Sequence, residues 1–268
     1  MTDSFLYNTP AVVISLLLFG FIILFHIAGY QVAVYQNQNN QGVNTNSIGP
    51  LEGALLGLFS LLMAFTFNKS ASNYDLRKEL LLQEANDIGT ASLRADLYPD
   101  SIARYFRYEF KNYVLARIDY YKAGNNEIEI EAALKNAEII SSRMWDYATM
   151  LSQQSYFENS SRQMIPAMNI MMDSMNQREA SRTSRVPESI LWLLLLLANA
   201  GSFIVGYAGN SKKINWTVIS IYSIMTVMTI YLILDLDRPR SGIINTSSTH
   251  QYMDKLLQSL EVHKNENK

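Results

Sequence analysis

Hydrophobic residues are concentrated in four long stretches that carry almost no charge. These stretches cover residues 11–30, 49–67, 190–207 and 216–234. Each has about 18–21 residues, which at a rise of ~1.5 Å per residue is enough for a helix to cross the ~30 Å hydrocarbon core of a bilayer. The pattern therefore predicts four transmembrane helices.

The long segment between the second and third stretches has a different pattern, in which apolar residues recur at helical spacing. Leu81, Ala85 and Ile88 mark the first helix, which Pro99 ends, and similar periods predict three more. Four amphipathic helices can bury a bundle core. The last of these helices is marked by methionines at helical spacing, which fits either core packing or a promiscuous binding face. It comprises Met164, Met168, Met171, Met172 and Met175.

These patterns predict an all-α integral membrane protein with a cytoplasmic helical bundle inserted between its second and third spans. The predicted parts are the first two spans (1–67), the bundle (68–187), the last two spans (188–236) and a cytoplasmic tail (237–268). Lys and Arg flank the bundle side of the spans, whereas the loop 31–47 has no charge. The positive-inside rule therefore places both termini and the inserted bundle in the cytoplasm.

Composition excludes several other classes of function. The chain of 268 residues has no cysteine, so it has no disulfide, thiolate nucleophile or cysteine metal site. Its net charge of -2 shows no basic footprint for nucleic acid. We find no phosphate-binding glycine loop and no nucleophile elbow, so the sequence predicts neither an enzyme nor a cofactor.

The second stretch has two stripes of residues on different faces of its helix. The first stripe is small and would let another helix approach closely; it comprises Gly49, Gly53, Gly57, Ser60 and Ala64. The second stripe is large and apolar; it comprises Leu55, Phe59, Met63 and Phe67. At the axis of an oligomer, the large stripe would form a hydrophobic constriction in a pore. Otherwise it faces lipid or another helix.

Glu52 is the only carboxylate in the second stretch. A ring of such residues at the outer mouth of a pore would favour cations. The alternative is structural, because Glu52 follows Pro50 in the first helical turn, where a negative charge interacts favourably with the helix dipole.

Two polar clusters stand out in the water-facing parts of the chain. The first spans residues 84–96 and includes Glu84, Asn86, Thr90, Arg94 and Asp96; neighbouring turns there predict local ion pairs between Glu84, Asp87 and Arg94. The second spans residues 234–242 and includes Asp235, Asp237, Arg238 and Pro239. Asp235 and Asp237 could bind a hard cation, although two carboxylates are few for Ca²⁺, and salt bridges with nearby arginines are the alternative.

Together these motifs resemble those of the bacterial bestrophin-like membrane family. The residues that carry the resemblance are GALLGL (53–58), AFTF (64–67), EANDIGTASLRAD (84–96) and LDRPRSG (236–242). The resemblance implies a pentameric anion channel in the bacterial cytoplasmic membrane. Its second helix would line the pore, with a neck at Phe59, Met63 and Phe67. The acidic clasp that binds calcium in animal bestrophins is not matched, because only Asp235 and Asp237 lie near that place.

Three functions remain open at this stage. The first is a homo-oligomeric channel in the lipid bilayer that conducts an inorganic ion, chloride by resemblance. The second is a cation channel with a ring of Glu52. The third is a non-conducting sensor or scaffold whose bundle binds a protein partner.

Overall fold

The structure, a computed structural model, describes residues 5–38, 49–208, 214, 216–238 and 251–266, and these form helices without any strand. Four helices are long and apolar enough to cross a membrane, as predicted. They are α2 (Ala11–Gln38), α3 (Gly49–Leu93), α7 (Glu188–Ala208) and α8 (Trp216–Leu236). The short α1 (Phe5–Asn8) precedes them. Residues 31–38, which we expected in a loop, continue α2 instead. The all-α, four-span fold class is confirmed.

The chain forms two compact units, and the first, the membrane unit, comprises Met1–Tyr74 and Arg185–Arg238. Within it α2 packs against α7 and α8. The backbones of α2 and α7 approach closely, because a Cβ added to Gly29 would lie 2.1 Å from the Phe203 carbonyl oxygen. The Ser202 hydroxyl of α7 also donates to the Ile22 carbonyl of α2 at 2.7 Å. Small residues and interhelical hydrogen bonds of this kind hold helices together in lipid.

The second unit comprises Asp75–Ser184 and Pro239–Lys268. Its helices are the remainder of α3, a 3-10 turn at Arg94–Leu97, α4 (Asp100–Lys122), α5 (Glu127–Ser152), a 3-10 turn at Ser155–Phe157, α6 (Glu158–Thr183) and α9 (Gln251–Glu266). The turn between α4 and α5 contains Gly124 at φ 55°, a conformation that favours glycine. The core of this unit joins aromatic residues of α4 to Met164, Met168 and Met171 of α6, which are fully buried. The methionines therefore pack in the core.

Helix α9 packs against α4, in a part of the chain where we expected only a tail. Met253 is fully buried, and Leu256, Leu257 and Leu260 pack against the same core. These positions follow the spacing of one helical face, so the periodicity of residues 253–260 was a usable signal for this helix.

Candidate functional site

One face of the membrane part of α3 packs into the core of its own unit. Phe59 is 3% exposed and belongs to the same buried cluster as Leu194 and Ile230. Thr66 and Asn73 follow it at seven-residue steps and are also buried. Seven residues make about two helical turns, so these side chains share one face.

The opposite face of this helix segment is exposed and apolar. Leu58, Leu61 and Phe65 are 51%, 53% and 64% exposed, respectively. Leu51 precedes Leu58 by seven residues and is exposed as well. These residues form a bulky stripe on the outside of the unit, which we call the outer bulky stripe.

The small residues of α3 also lie outside the packed core. A Cβ added to Gly49, Gly53 or Gly57 would meet no described atom within 4 Å, other than those of its own helix and chain neighbours. Ser60 and Ala64 are exposed too. Among the described glycines of this unit, those whose added Cβ would meet the backbone of another helix are instead Gly29 and Gly206, on α2 and α7. Packing at Gly49, Gly53, Gly57 and Ala64 therefore stays a prediction about other subunits.

The predicted neck residues do not share one environment. Leu55 and Met63 are half-buried beside Phe59, whereas Phe67 is 39% exposed. The burial of Phe59 does not fit a side chain that lines an open path. Glu52 precedes Phe59 by seven residues and is half-buried, so it shares the face of Phe59 rather than the outer bulky stripe.

Asp237 is the centre of a buried polar cluster in the membrane unit. Its Oδ2 accepts a hydrogen bond from the Val186 backbone N–H at 2.9 Å, and the Asn73 side-chain amide donates to Oδ1 at 3.4 Å. The Tyr7 hydroxyl lies 2.6 Å from Oδ2 and also 2.6 Å from the Val186 carbonyl oxygen. Burial and then the bond to Asp237 raise the pKa of Tyr7, which keeps it a neutral donor.

Arg238 extends this cluster toward the N-terminal segment. Its guanidinium donates to the Leu6 carbonyl oxygen, and both residues are buried. Asp235 is buried nearby and lies 3.4 Å from the Tyr231 hydroxyl. No group of three or more metal-ligating side chains occurs within the described ranges. Because protein donors occupy Asp237, its environment is that of a structural anion.

Glu84 is the centre of a second buried cluster, in the second unit. Its carboxylate accepts from Arg117 Nε, from Arg178 Nη1 at 2.7 Å and from the Tyr121 hydroxyl at 2.8 Å. Arg178 also lies over the Tyr121 ring at 4.4 Å, and Arg117 over the Tyr120 ring at 4.5 Å. Burial acts to lower the pKa of Arg117, but Glu84 and neighbouring groups outweigh it and raise the pKa. These long-range pairs replace the local pairs that we expected.

The other motif residues have different surroundings. Asn86 and Thr90 are exposed on α3, and Arg94 is half-buried. Asp96 accepts from Arg107 at 2.6 Å on the surface. The remaining motif residue, Pro239, lies outside the described residues.

Comparison with known proteins identifies the family. The family model of the bestrophin-like domain matches residues 16–250. This chain belongs to the bestrophin-like family. Its structure resembles the crystal structure of a bacterial bestrophin homologue from Klebsiella pneumoniae, with a TM-score of 0.66 and 12% sequence identity over 91% of this chain and 96% of that one. No curated protein matches the chain in sequence.

The bestrophin-like fold brings together residues that the sequence motifs left out. Tyr7 and Asn73 complete the Asp237 cluster, and Arg117, Tyr121 and Arg178 complete the Glu84 cluster. One signal could have indicated the second group. Glu84 lies among the core positions Leu81, Ala85 and Ile88, and a buried carboxylate requires cationic or hydrogen-bonding partners.

Proposed function

We propose that this bestrophin-like chain forms a homo-oligomeric channel, a pentamer by family resemblance, that conducts anions such as chloride across the bacterial cytoplasmic membrane. Both termini and the second unit lie in the cytoplasm in this proposal, as the distribution of Lys and Arg supports. The observation that carries the proposal is the outward face of α3. A helix able to span the membrane has one face in the core and the other unpacked.

Two features of that outward face suit a helix that lines the central axis of an oligomer. Gly53, Gly57 and Ala64 leave room for a neighbouring helix backbone. The outer bulky stripe, with Leu58, Leu61 and Phe65, lies beside them and would point toward the axis. A ring of such side chains forms a narrow apolar constriction that can gate by dewetting. We therefore move the proposed neck from Phe59 and Met63 to this stripe.

The charge on this face supports the choice of anions. Glu52 is the only carboxylate in residues 49–68, and it is on the face of Phe59. Lys69, just beyond, is exposed. A lumen lined by apolar side chains with a cation at one end repels anions less than a ring of carboxylates would.

Recordings from purified protein in planar bilayers test this proposal. Under a KCl gradient we expect a reversal potential directed toward chloride, from a particle whose mass is a multiple of the subunit. Leu61→Ala and Phe65→Ala should raise single-channel conductance and weaken discrimination between ions, because they widen the constriction.

Phe59→Ala is the matched control. It removes a buried ring, which costs about 3–5 kcal/mol of stability, without widening an outward-facing path. Higher conductance from Phe59→Ala, with unchanged currents from Leu61→Ala and Phe65→Ala, would return the neck to the Phe59 stripe. A potassium-directed potential would replace anion conduction with cation conduction, and a monomer without currents would contradict a channel altogether.

A further inference from the structure

Arg117 carries buried hydrogen-bond donors that have no acceptor among the described residues. Its side chain is fully buried, and its Nε donates to Glu84. Neither Nη1 nor Nη2 has a hydrogen-bond partner among the described residues. Unpaired buried donors on a charged group are strongly unfavourable, so each of them needs an acceptor in the folded protein.

Tyr113 adds a third donor at the same place. It precedes Arg117 by four residues on α4, so the two side chains lie on one face of the helix. Its hydroxyl is buried and, within the described part of the chain, has no partner either. Burial raises the pKa of Tyr113, with electrostatic contributions from Arg117, Glu84 and Arg178. The phenol therefore stays protonated and able to donate.

Among the described residues, no carboxylate forms a hydrogen bond with Arg117 Nη1 or Nη2. Glu84 pairs with both Arg117 and Arg178. The nearby carboxylates have other partners. Glu179 accepts from Tyr120 and Arg182, and Asp87 accepts from Ser174. An anion beside Arg117 would accept from these donors and also bring a charge opposite to that of the guanidinium, whereas a neutral water molecule would do only the first.

We propose that Arg117 Nη1 and Nη2, together with the Tyr113 hydroxyl, bind a small inorganic monovalent anion of the chloride class in the core of the second unit. This site is separate from the outer bulky stripe of α3 and does not depend on whether the protein conducts. Its role is to stabilise the cytoplasmic bundle according to the local anion concentration, since a ligand that binds only the folded state raises its stability.

Thermal unfolding of the full-length protein in sodium chloride, sodium bromide and sodium gluconate, at equal ionic strength, tests the site. Halide at ten times its dissociation constant should raise the unfolding temperature by about 3–6 °C over gluconate. Tyr113→Phe should lose most of that rise. Tyr98→Phe is the matched control, because its hydroxyl in the same core already bonds to Ser161 at 3.0 Å, and it should keep the rise.

The outcomes distinguish a bound anion from a water molecule or an empty site. If no anion binds, Tyr113→Phe removes only an unsatisfied hydroxyl and should leave the unfolding temperature unchanged or higher in every salt. An equal halide effect in wild type and Tyr113→Phe, or none in wild type, overturns the proposal. Bromide anomalous diffraction from wild-type crystals provides a test without any variant. A peak within hydrogen-bonding distance of Arg117 Nη supports the site, and water density without anomalous signal there contradicts it.

Discussion

The close approach of α2 and α7 makes Gly29 the position where one added methyl group should have the clearest effect. In Gly29→Ala the new Cβ would lie 2.1 Å from the Phe203 carbonyl oxygen and 3.0 Å from the Tyr207 backbone nitrogen. Both atoms belong to the α7 backbone, which cannot rotate away as a flexible side chain can. The two helices must therefore separate by roughly 1 Å or more for ordinary packing to be restored.

The magnitude follows from two opposing terms. Overpacking of a rigid interior costs about 1–3 kcal/mol, and a backbone contact belongs at the upper end of that range. Alanine in place of glycine in a helix contributes up to about 1 kcal/mol in the other direction. The net loss is about 2 kcal/mol, which lowers the unfolding temperature by about 4–8 °C at ~2–4 °C per kcal/mol.

Gly20→Ala, in the same helix, is the control. Gly20 is exposed and an added Cβ there meets no described atom within 4 Å, so only the helix-propensity gain applies. The assay is thermal unfolding of the detergent-solubilised protein, followed by tryptophan fluorescence. If Gly29→Ala unfolds within 2 °C of Gly20→Ala, a difference smaller than about 1 kcal/mol, the close backbone contact between α2 and α7 is refuted.

Two further predictions concern the buried carboxylates. Glu84→Gln should lower the free energy of unfolding by about 3–5 kcal/mol, because it leaves two guanidinium groups without the carboxylate that they share. Asp96→Asn, which removes the carboxylate of an exposed ion pair, should lower it by less than about 1 kcal/mol. Equal losses for the two variants in chemical or thermal unfolding would contradict the buried cluster. Asp237→Ala should cost more than Tyr7→Phe, which removes one bond to a charged group worth about 1.5–3 kcal/mol. The double variant should lose less than the sum of the two, and strict additivity would show that they do not interact.

The length and apolarity of α3 could be read from the sequence, but its rotation about its own axis could not. Residues 51–67 are apolar on nearly every side, so the hydrophobic pattern fits a buried face at Phe59 as well as one at Leu61. The residues that distinguish these two possible buried faces lie further along the helix. Buried positions recur at seven-residue steps from Phe59 through Thr66 to Asn73. Because polar residues at such steps must find partners, Asn73 indicates which face is inside.

The same reasoning explains why the sequence motifs include the two buried carboxylates but not the residues that bond to them. Glu84 and Asp237 are each bonded by groups far away in sequence, with separations of 94 residues to Arg178 and 230 to Tyr7. Helical spacing relates residues three or four apart and carries no information on such pairs. A core position does indicate such pairs, since a buried acidic residue is stable only if hydrogen-bond donors surround it. For Glu84 the donors include two arginines, and Glu84 bonds to Nε of Arg117 but not to Nη1 or Nη2, the donors that we propose for an anion.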